Sequence, residues 1–242
     1  MGALVGFTLP LPVPAIAAET NPDCQLPSVP AEPLTLTAGL GPQGIHTMVV
    51  EQGKGSVLVG SLTAGAARVS GAFLCVYSQT LSDSEKSLIG LAVTRPDSTY
   101  RFAVPPGPSR RLSIAVQSAQ SPSATTAGGV IKTRVKPSLR IQPNPARNKH
   151  FVDISGRIPG PHNDRVTVIL EAASKARAHW FEFRGASAHD DGRFVLRYFF
   201  SRTDQATTYL IRAKVLGAPG YPYESGVSRE IPLRVRPWRH AA

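Results

Sequence analysis

Six histidines, two cysteines and sixteen acids are the residues of this 242-residue chain that suggest acid–base, nucleophilic or metal chemistry. Nucleophilic hydrolysis needs a Ser or Cys beside a base that a third group orients. No G-x-S-x-G, H-x-x-x-H or H-E-x-x-H occurs, and neither Cys24 nor Cys75 has the flanks of a nucleophile or the spacing of a metal ligand. The histidines are dispersed, at positions 46, 150, 162, 179, 189 and 240. Only His189-Asp190-Asp191 gathers three possible cation ligands, and a run of that composition is foremost a turn. Glu171, Glu182, Glu224 and Glu230 all have ordinary strand-surface or turn readings, which leaves paired-carboxylate glycoside hydrolysis without support. Isopeptide cross-linking needs an Asn on the last strand of a domain, and the runs 130–135 and 229–235 hold none. No catalytic residue, metal or cofactor is expected.

Binding is better served by aromatic side chains. Trp180 alternates with Phe181 and Phe183 and should point away from the face those two share, where an exposed indole could stack on a sugar ring or dock a protein. Tyr221 and Tyr223 lie in the Gly- and Pro-rich stretch 217–226, and loops of that kind carry function. The alternatives are packing of Trp180 under a loop or against a neighbouring domain, and a proline-stiffened turn for the tyrosines. Cys75, in the apolar run 72–77, is either a small buried hydrophobe or the partner of Cys24 in a bridge that ties down the N-terminal segment and requires an oxidising compartment.

The elements that must position these groups are strands. The stretch 192–215 has the longest alternation: Phe194, Leu196, Tyr198 and Phe200 fall on one face of a strand, and Tyr209, Ile211, Ala213 and Val215 on one face of the next. Tyr209 opens its strand as the tyrosine of a tyrosine corner does. Two strands with buried faces need a second sheet to cover them. Further runs are read at 47–51, 57–62, 72–77, 87–94, 99–104, 111–116 and 130–135, then at 139–142, 151–158, 165–172, 180–184, 193–200, 208–215 and 229–235. Each set of seven makes one all-β sandwich. Arg134–Pro137 (RVKP) and Arg234–Pro237 (RVRP) recur 100 positions apart, a period that marks tandem domains rather than a solenoid. Asp97-Ser98 and Asp191-Gly192 occupy equivalent turns before an aromatic strand.

The N-terminal region differs. Residues 1–18 are apolar, uncharged and end near Ala15-Ile16-Ala17, a small-x-small pattern that suits a secretory signal, although there is no basic n-region and Pro10, Pro12 and Pro14 interrupt it. Residues 19–44 read as an extended, Pro-rich lead-in without a core of its own. No later segment has the ~18 apolar residues of a membrane-spanning helix. The net charge of +11 is spread over both halves, +6 in 34–136 and +8 in 137–242. No block of five basic residues occurs, so a solvated basic sheet face is favoured over specific nucleic-acid binding.

GAFLCVYS at 71–78, TYRFAVPPGPSR at 99–110 and the KTRVKP ending resemble the carboxypeptidase-regulatory-like or transthyretin-like modules of bacterial extracellular proteins. RNKHFVDISGRIPGPHNDRV at 147–166, DDGRFVLRYFF, TTYLIRAKV and GYPYESGVS resemble the Ig-like module that follows them in secreted proteins of high-GC Gram-positive bacteria. Ser98 departs from the resemblance, which has Gly in that turn. The resemblance implies an all-β chain of two tandem Ig-like/transthyretin-like β-sandwich domains with an extended N-terminal segment. The expected division is a signal at 1–18, lead-in at 19–44, first domain at 45–136, second domain at 137–238 and a tail at 239–242. The function implied is a non-catalytic secreted or cell-surface structural or interaction module, an accessory part of a larger extracellular protein, whose partner is a protein or a cell-wall polysaccharide. The competing readings are a carbohydrate- or wall-polymer-binding module using Trp180, Tyr221, Tyr223 and the basic face, and, behind it, an extracellular hydrolase.

Overall fold

A computed structural model describes residues 24, 26, 32–116, 124–160, 166–174 and 179–238, and its regular elements are all strands. The expected signal segment 1–18, residues 19–23, 25 and 27–31 of the lead-in, His162 and the tail 239–242 lie outside the described residues.

The first half comprises β1 (Leu34–Leu40), β2 (Thr47–Glu51), β3 (Ser56–Ala64), β4 (Ala67–Arg68), β5 (Phe73–Thr80), β6 (Lys86–Val93), β7 (Thr99–Val104), β8 (Arg110–Val116) and β9 (Ala124–Arg134). One sheet has the order β1–β3–β7, with the short β4 also on β3; the other runs β2–β9–β8–β5–β6. Every pair is antiparallel except β2 with β9. Alternate side chains of both sheets meet in a core of Leu36, Leu40, Leu58, Leu62, Leu74, Val76, Tyr100, Leu112, Ile114 and Ile131.

The second half repeats this order for the principal strands, without a counterpart of the short β4 and with an added short β17 on β16. It comprises β10 (Ser138–Gln142), β11 (Ala146–Arg147), β12 (Phe151–Arg157), β13 (Thr167–Ser174), β14 (Phe181–Ser187), β15 (Arg193–Phe199), β16 (Thr207–Val215), β17 (Gly226–Val227) and β18 (Ile231–Arg236). Here β10–β12–β15 faces β11–β18–β16–β13–β14, and the short β11 is again the parallel neighbour of the last strand. Two opposed sheets of this order, with the opening strand divided between them, form an Ig-like sandwich. The chain is therefore all-β with two tandem Ig-like sandwiches. The second core is built on Val152, Ile154, Val168, Leu170, Phe194, Leu196, Ile211, Ala213, Val215, Leu233 and Val235.

Two expectations need correction. The lead-in 19–44 does contribute to a core: Leu34–Leu40 is a strand paired with β3 along its whole length, and Leu36 and Leu40 are buried. Its alternation of Leu and Thr is the strand signal, and the prolines at 27, 30 and 33 before it disguise the boundary. The two strands of 192–215 are not partners in one sheet. β15 pairs with β12, and β16 with β13 and β18, so their apolar faces oppose each other across the core.

Only Val135, Lys136 and Pro137 separate β9 from β10. Val135 is 1% exposed and packs within the second core. The Lys136 N–H donates to the side-chain oxygen of Gln52 at 2.8 Å, and the Gln52 N–H to the Arg134 carbonyl at 3.0 Å. The connection is thereby held by both neighbours.

Candidate functional site

The stretch 217–226, expected to present Tyr221 and Tyr223 to a ligand, is built into the junction between the sandwiches. The Glu224 N–H donates to the Thr133 carbonyl at 2.9 Å, and the Val135 N–H donates back to the Glu224 carbonyl at 3.1 Å, a one-residue parallel bridge onto the end of β9. Ser109, just before β8, donates its N–H to the Pro222 carbonyl at 2.8 Å. The Ser109 hydroxyl accepts from the Thr133 N–H at 2.9 Å, and the Thr133 hydroxyl donates to the Gly107 carbonyl at 3.0 Å. Lys132 and Glu224 add an exposed ion pair at 3.5 Å, worth little in itself. Strand end, loop and linker therefore share one hydrogen-bonded network.

Tyr221 is 7% exposed, and its hydroxyl donates to the Pro159 carbonyl at 3.0 Å. Burial raises its phenol well above the ordinary tyrosine range. Tyr223 is half-buried, its ring centroid 5.3 Å from that of Tyr221. Burial raises its phenol too, and the neighbouring Arg110 guanidinium opposes that shift. Arg110 is itself buried, donates to the Pro105 carbonyl, and is pushed below the ordinary arginine range by desolvation. Tyr221 is thus packed away with its hydroxyl on backbone, and Tyr223 is half-buried against it.

Trp180 precedes β14. It lies on the outer face of the second sandwich, half-buried, with the Arg212 guanidinium 3.9 Å from its ring centroid. Arg212 donates from Nε to Glu171 at 2.6 Å, and Lys214 reaches both Glu171 at 3.4 Å and Glu182 at 3.3 Å. The contacts to Glu182 and Glu171 raise the Lys214 ammonium above its ordinary range. The bulge between Leu170 and Glu171 sets this carboxylate, only 5% exposed, beneath two cations. The indole thus caps a charged cluster, and its place is apart from the tyrosine loop.

Phe181 and Phe183 face the opposite way, into an opening between β14 and β15 that Tyr198, Phe200, Arg202, Thr203 and Tyr209 complete, with a volume of about 200 Å³. Edge-to-face pairs join Phe183 to Tyr198 and Tyr198 to Phe200, and Phe200 stacks on Tyr209. Tyr209 is no tyrosine corner: its ring belongs to this aromatic series, and among the described residues its hydroxyl makes no hydrogen bond to backbone. Aromatics here close the open edge of the sandwich.

His189-Asp190-Asp191 forms a turn. The Gly192 N–H returns to the His189 carbonyl at 2.8 Å, and Asp191 accepts from the Arg193 N–H at 3.0 Å, which lowers the Asp191 carboxyl below its ordinary range. No group of three or more His, Cys, Asp or Glu able to hold a metal occurs among the described residues. Cys24 and Cys75 form a disulfide with Cα atoms 5.3 Å apart. Cys75 is on the outer face of β5, so the bridge carries the chain before β1 across that face, and both cysteines are fully buried. The sequence analysis gave Ser109 and Arg110 no role and read Glu224 only as an ordinary surface or turn acid; their place at the junction comes from pairing across it.

Neither a protein-family model nor a curated protein sequence matches the chain. Among solved structures, it is similar to a tetra-tandem repeat in the extending region of a large adhesion protein, at 12% identity and a TM-score of 0.40, over 82% of this chain and 48% of that one. A titin fragment is similar at 9% identity and 0.40, over 85% of this chain and 99% of that one. A Salmonella alpha-2-macroglobulin is similar at 12% identity and 0.31, over 87% of this chain and 15% of that one. The chain thus spans about half of the adhesion-protein repeat. The Ig-like assignment rests on strand order and register.

Proposed function

We propose that the chain is a non-catalytic structural and interaction module, secreted or displayed at a cell surface as an accessory part of a larger extracellular protein. Its two domains are the sandwiches at 34–134 and 138–236, joined by residues 135–137. The observation that carries the reading is the junction: a three-residue linker would leave two sandwiches free to swing, yet loop 217–226 is hydrogen-bonded to the ends of β8 and β9. Interdomain contacts ordinarily permit relative motion, and a main-chain clamp of this kind opposes it. The Cys24–Cys75 bridge suits an oxidising, extracellular setting. No helix among the described residues is long and apolar enough to cross a membrane.

The test is a distance distribution between spin labels at Arg68→Cys and Arg184→Cys. One narrow population is expected, broadening when Pro222 and Tyr223 are both replaced by Gly. A broad distribution in the otherwise unaltered chain would refute the rigid spacer.

A further inference from the structure

One surface of the second sandwich gathers cations without acids. β11 lies parallel to β18 with Arg147 opposite Arg236, and Arg234 projects from the same face of β18 two residues earlier. With Ala206, Pro237 and Trp238 these arginines line a cleft of about 550 Å³. All three are exposed, and none has a carboxylate partner among the described residues. Asp204, on the loop that leads to Ala206, is in no ion pair. On the same sheet Arg212 and Lys214 are neutralised by Glu171 and Glu182, and Arg184 on β14 stands alone among the described residues, whereas Arg147, Arg234 and Arg236 are grouped in one cleft. Like charges directly opposite on paired strands are destabilising, and here the repulsion of Arg147 and Arg236 is left uncompensated. Trp238 is 43% exposed at the cleft wall, with its ring centroid 5.4 Å from that of His150.

We propose that this cleft binds an acidic glycan, with its carboxylate, sulfate or phosphate groups on Arg147, Arg234 and Arg236 and a sugar ring against Trp238. Guanidinium groups bind such anions through paired N–H donors, which a lysine cannot reproduce. An indole face with a polar rim suits the apolar face of a sugar. Three arginines in a short cleft are too few for a nucleic-acid tract, in which six to ten phosphate contacts are usual. A disulfide-bonded chain also works where glycans rather than nucleic acids are the abundant polyanions. The site lies apart from the junction clamp, so loosening the clamp leaves binding intact and the two readings fail separately.

The experiment titrates the full chain with polygalacturonate, dextran sulfate and a phosphorylated mannan, which separate the three acid groups, and with neutral dextran, oligo-dT and polyglutamate for comparison. At least one acidic glycan is expected to bind more tightly than all three comparison polymers. Arg147→Gln, Arg234→Gln, Arg236→Gln and Trp238→Ala should each weaken binding about three- to tenfold, the effect of losing one charged or stacking contact. Arg236→Lys should weaken it as well, and the exposed Arg101→Gln on the first sandwich should leave it unchanged. The four side chains are exposed, so melting temperatures should stay within a few degrees of the parent. The proposal is overturned if no acidic glycan binds, if oligo-dT or polyglutamate binds more tightly, if Arg101→Gln costs as much as the cleft variants, or if Trp238→Ala costs nothing.

Discussion

Gly60 and Gly156 hold the same place in the two sandwiches. Gly60 on β3 is paired with Tyr100 on β7, and Gly156 on β12 is paired with Phe194 on β15. In each case the aromatic ring lies over the glycine, and a carbonyl of the sheet's first strand, Thr37 or Ser138, approaches from the other side. A Cβ at either position would overlap both neighbours, and one of them is backbone that cannot yield. Gly60→Ala and Gly156→Ala should each lower stability by about 2–4 kcal/mol through overpacking. Denaturant titration followed by tryptophan and far-UV signals would measure it, and a cost below 1 kcal/mol would contradict this packing.

The turns before these aromatic strands also correspond. Arg95, Asp97, Ser98 and Thr99 make the hydrogen bonds that His189, Asp191, Gly192 and Arg193 make in the second sandwich. Both turn residues are left-handed, Ser98 with φ 69° and Gly192 with φ 79°. The serine therefore carries a backbone cost that glycine avoids, and the turn is no looser for it. Ser98→Gly should stabilise the chain by about 0.5–1 kcal/mol, the left-handed penalty less the added entropy of the unfolded glycine. A lower midpoint in urea would argue against it.

The fold was legible because its strands are short, alternating and punctuated by turns. All fourteen runs read from the sequence overlap strands of the structure, and the RVKP and RVRP endings mark equivalent positions after β9 and within β18. What escaped were features that pairing creates rather than composition: β1 hidden behind prolines, the two-residue strands, and the assignment of β15 and β16 to opposite sheets. The site was less legible. Tyr221 and Tyr223 have the composition of a binding loop, and only the partner strand β9 shows that their loop is a clamp. Arg147 and Arg236 are 89 positions apart in sequence and become neighbours only through a parallel pairing.

Tyr100 ties the first sandwich together, its buried hydroxyl donating to the Thr37 carbonyl at 2.6 Å. Burial raises the phenols of Tyr100 and Tyr221 well above the ordinary value near 10. Up to about pH 9 both are protonated in folded and unfolded chains alike, and their contribution is fully present. Above it the unfolded chain releases protons that the folded chain retains, so stability falls as pH rises. Stability should be level between about pH 8 and 9 and decline by up to about 1.4 kcal/mol per pH unit for each tyrosine beyond pH 10. Tyr100→Phe should cost about 1 kcal/mol at pH 7 and flatten the alkaline decline. An unchanged slope in that variant would assign the decline elsewhere.

The Cys24–Cys75 bridge closes a loop of 51 residues that contains β1 to β4. Chain-entropy arguments give such a closure about 4 kcal/mol, and measured values commonly fall between 2 and 4 kcal/mol. Replacing both cysteines by serine should destabilise the first sandwich by that amount and leave the unfolding of the second unchanged. Separate probes are available, since Trp180 and Trp238 both report on the second half. Equal losses in both halves would mean that the clamp couples them into one cooperative unit.

Trp180 and Trp238 make opposite demands on mutation. Trp180 covers Arg212, which with Lys214 neutralises the buried Glu171. Trp180→Ala should therefore cost about 0.5–1 kcal/mol of stability through the lost cation–π contact and leave glycan affinity unaltered. Glu171→Gln should cost more, about 2 kcal/mol, because it leaves two cations facing each other without their shared anion. The loss should shrink when Arg212→Gln is added, as a double-mutant cycle would show. Trp238→Ala should do the reverse, sparing stability and weakening binding. Loss of glycan binding in Trp180→Ala with an unaltered melting temperature would move the ligand site to the position that the sequence alone suggests.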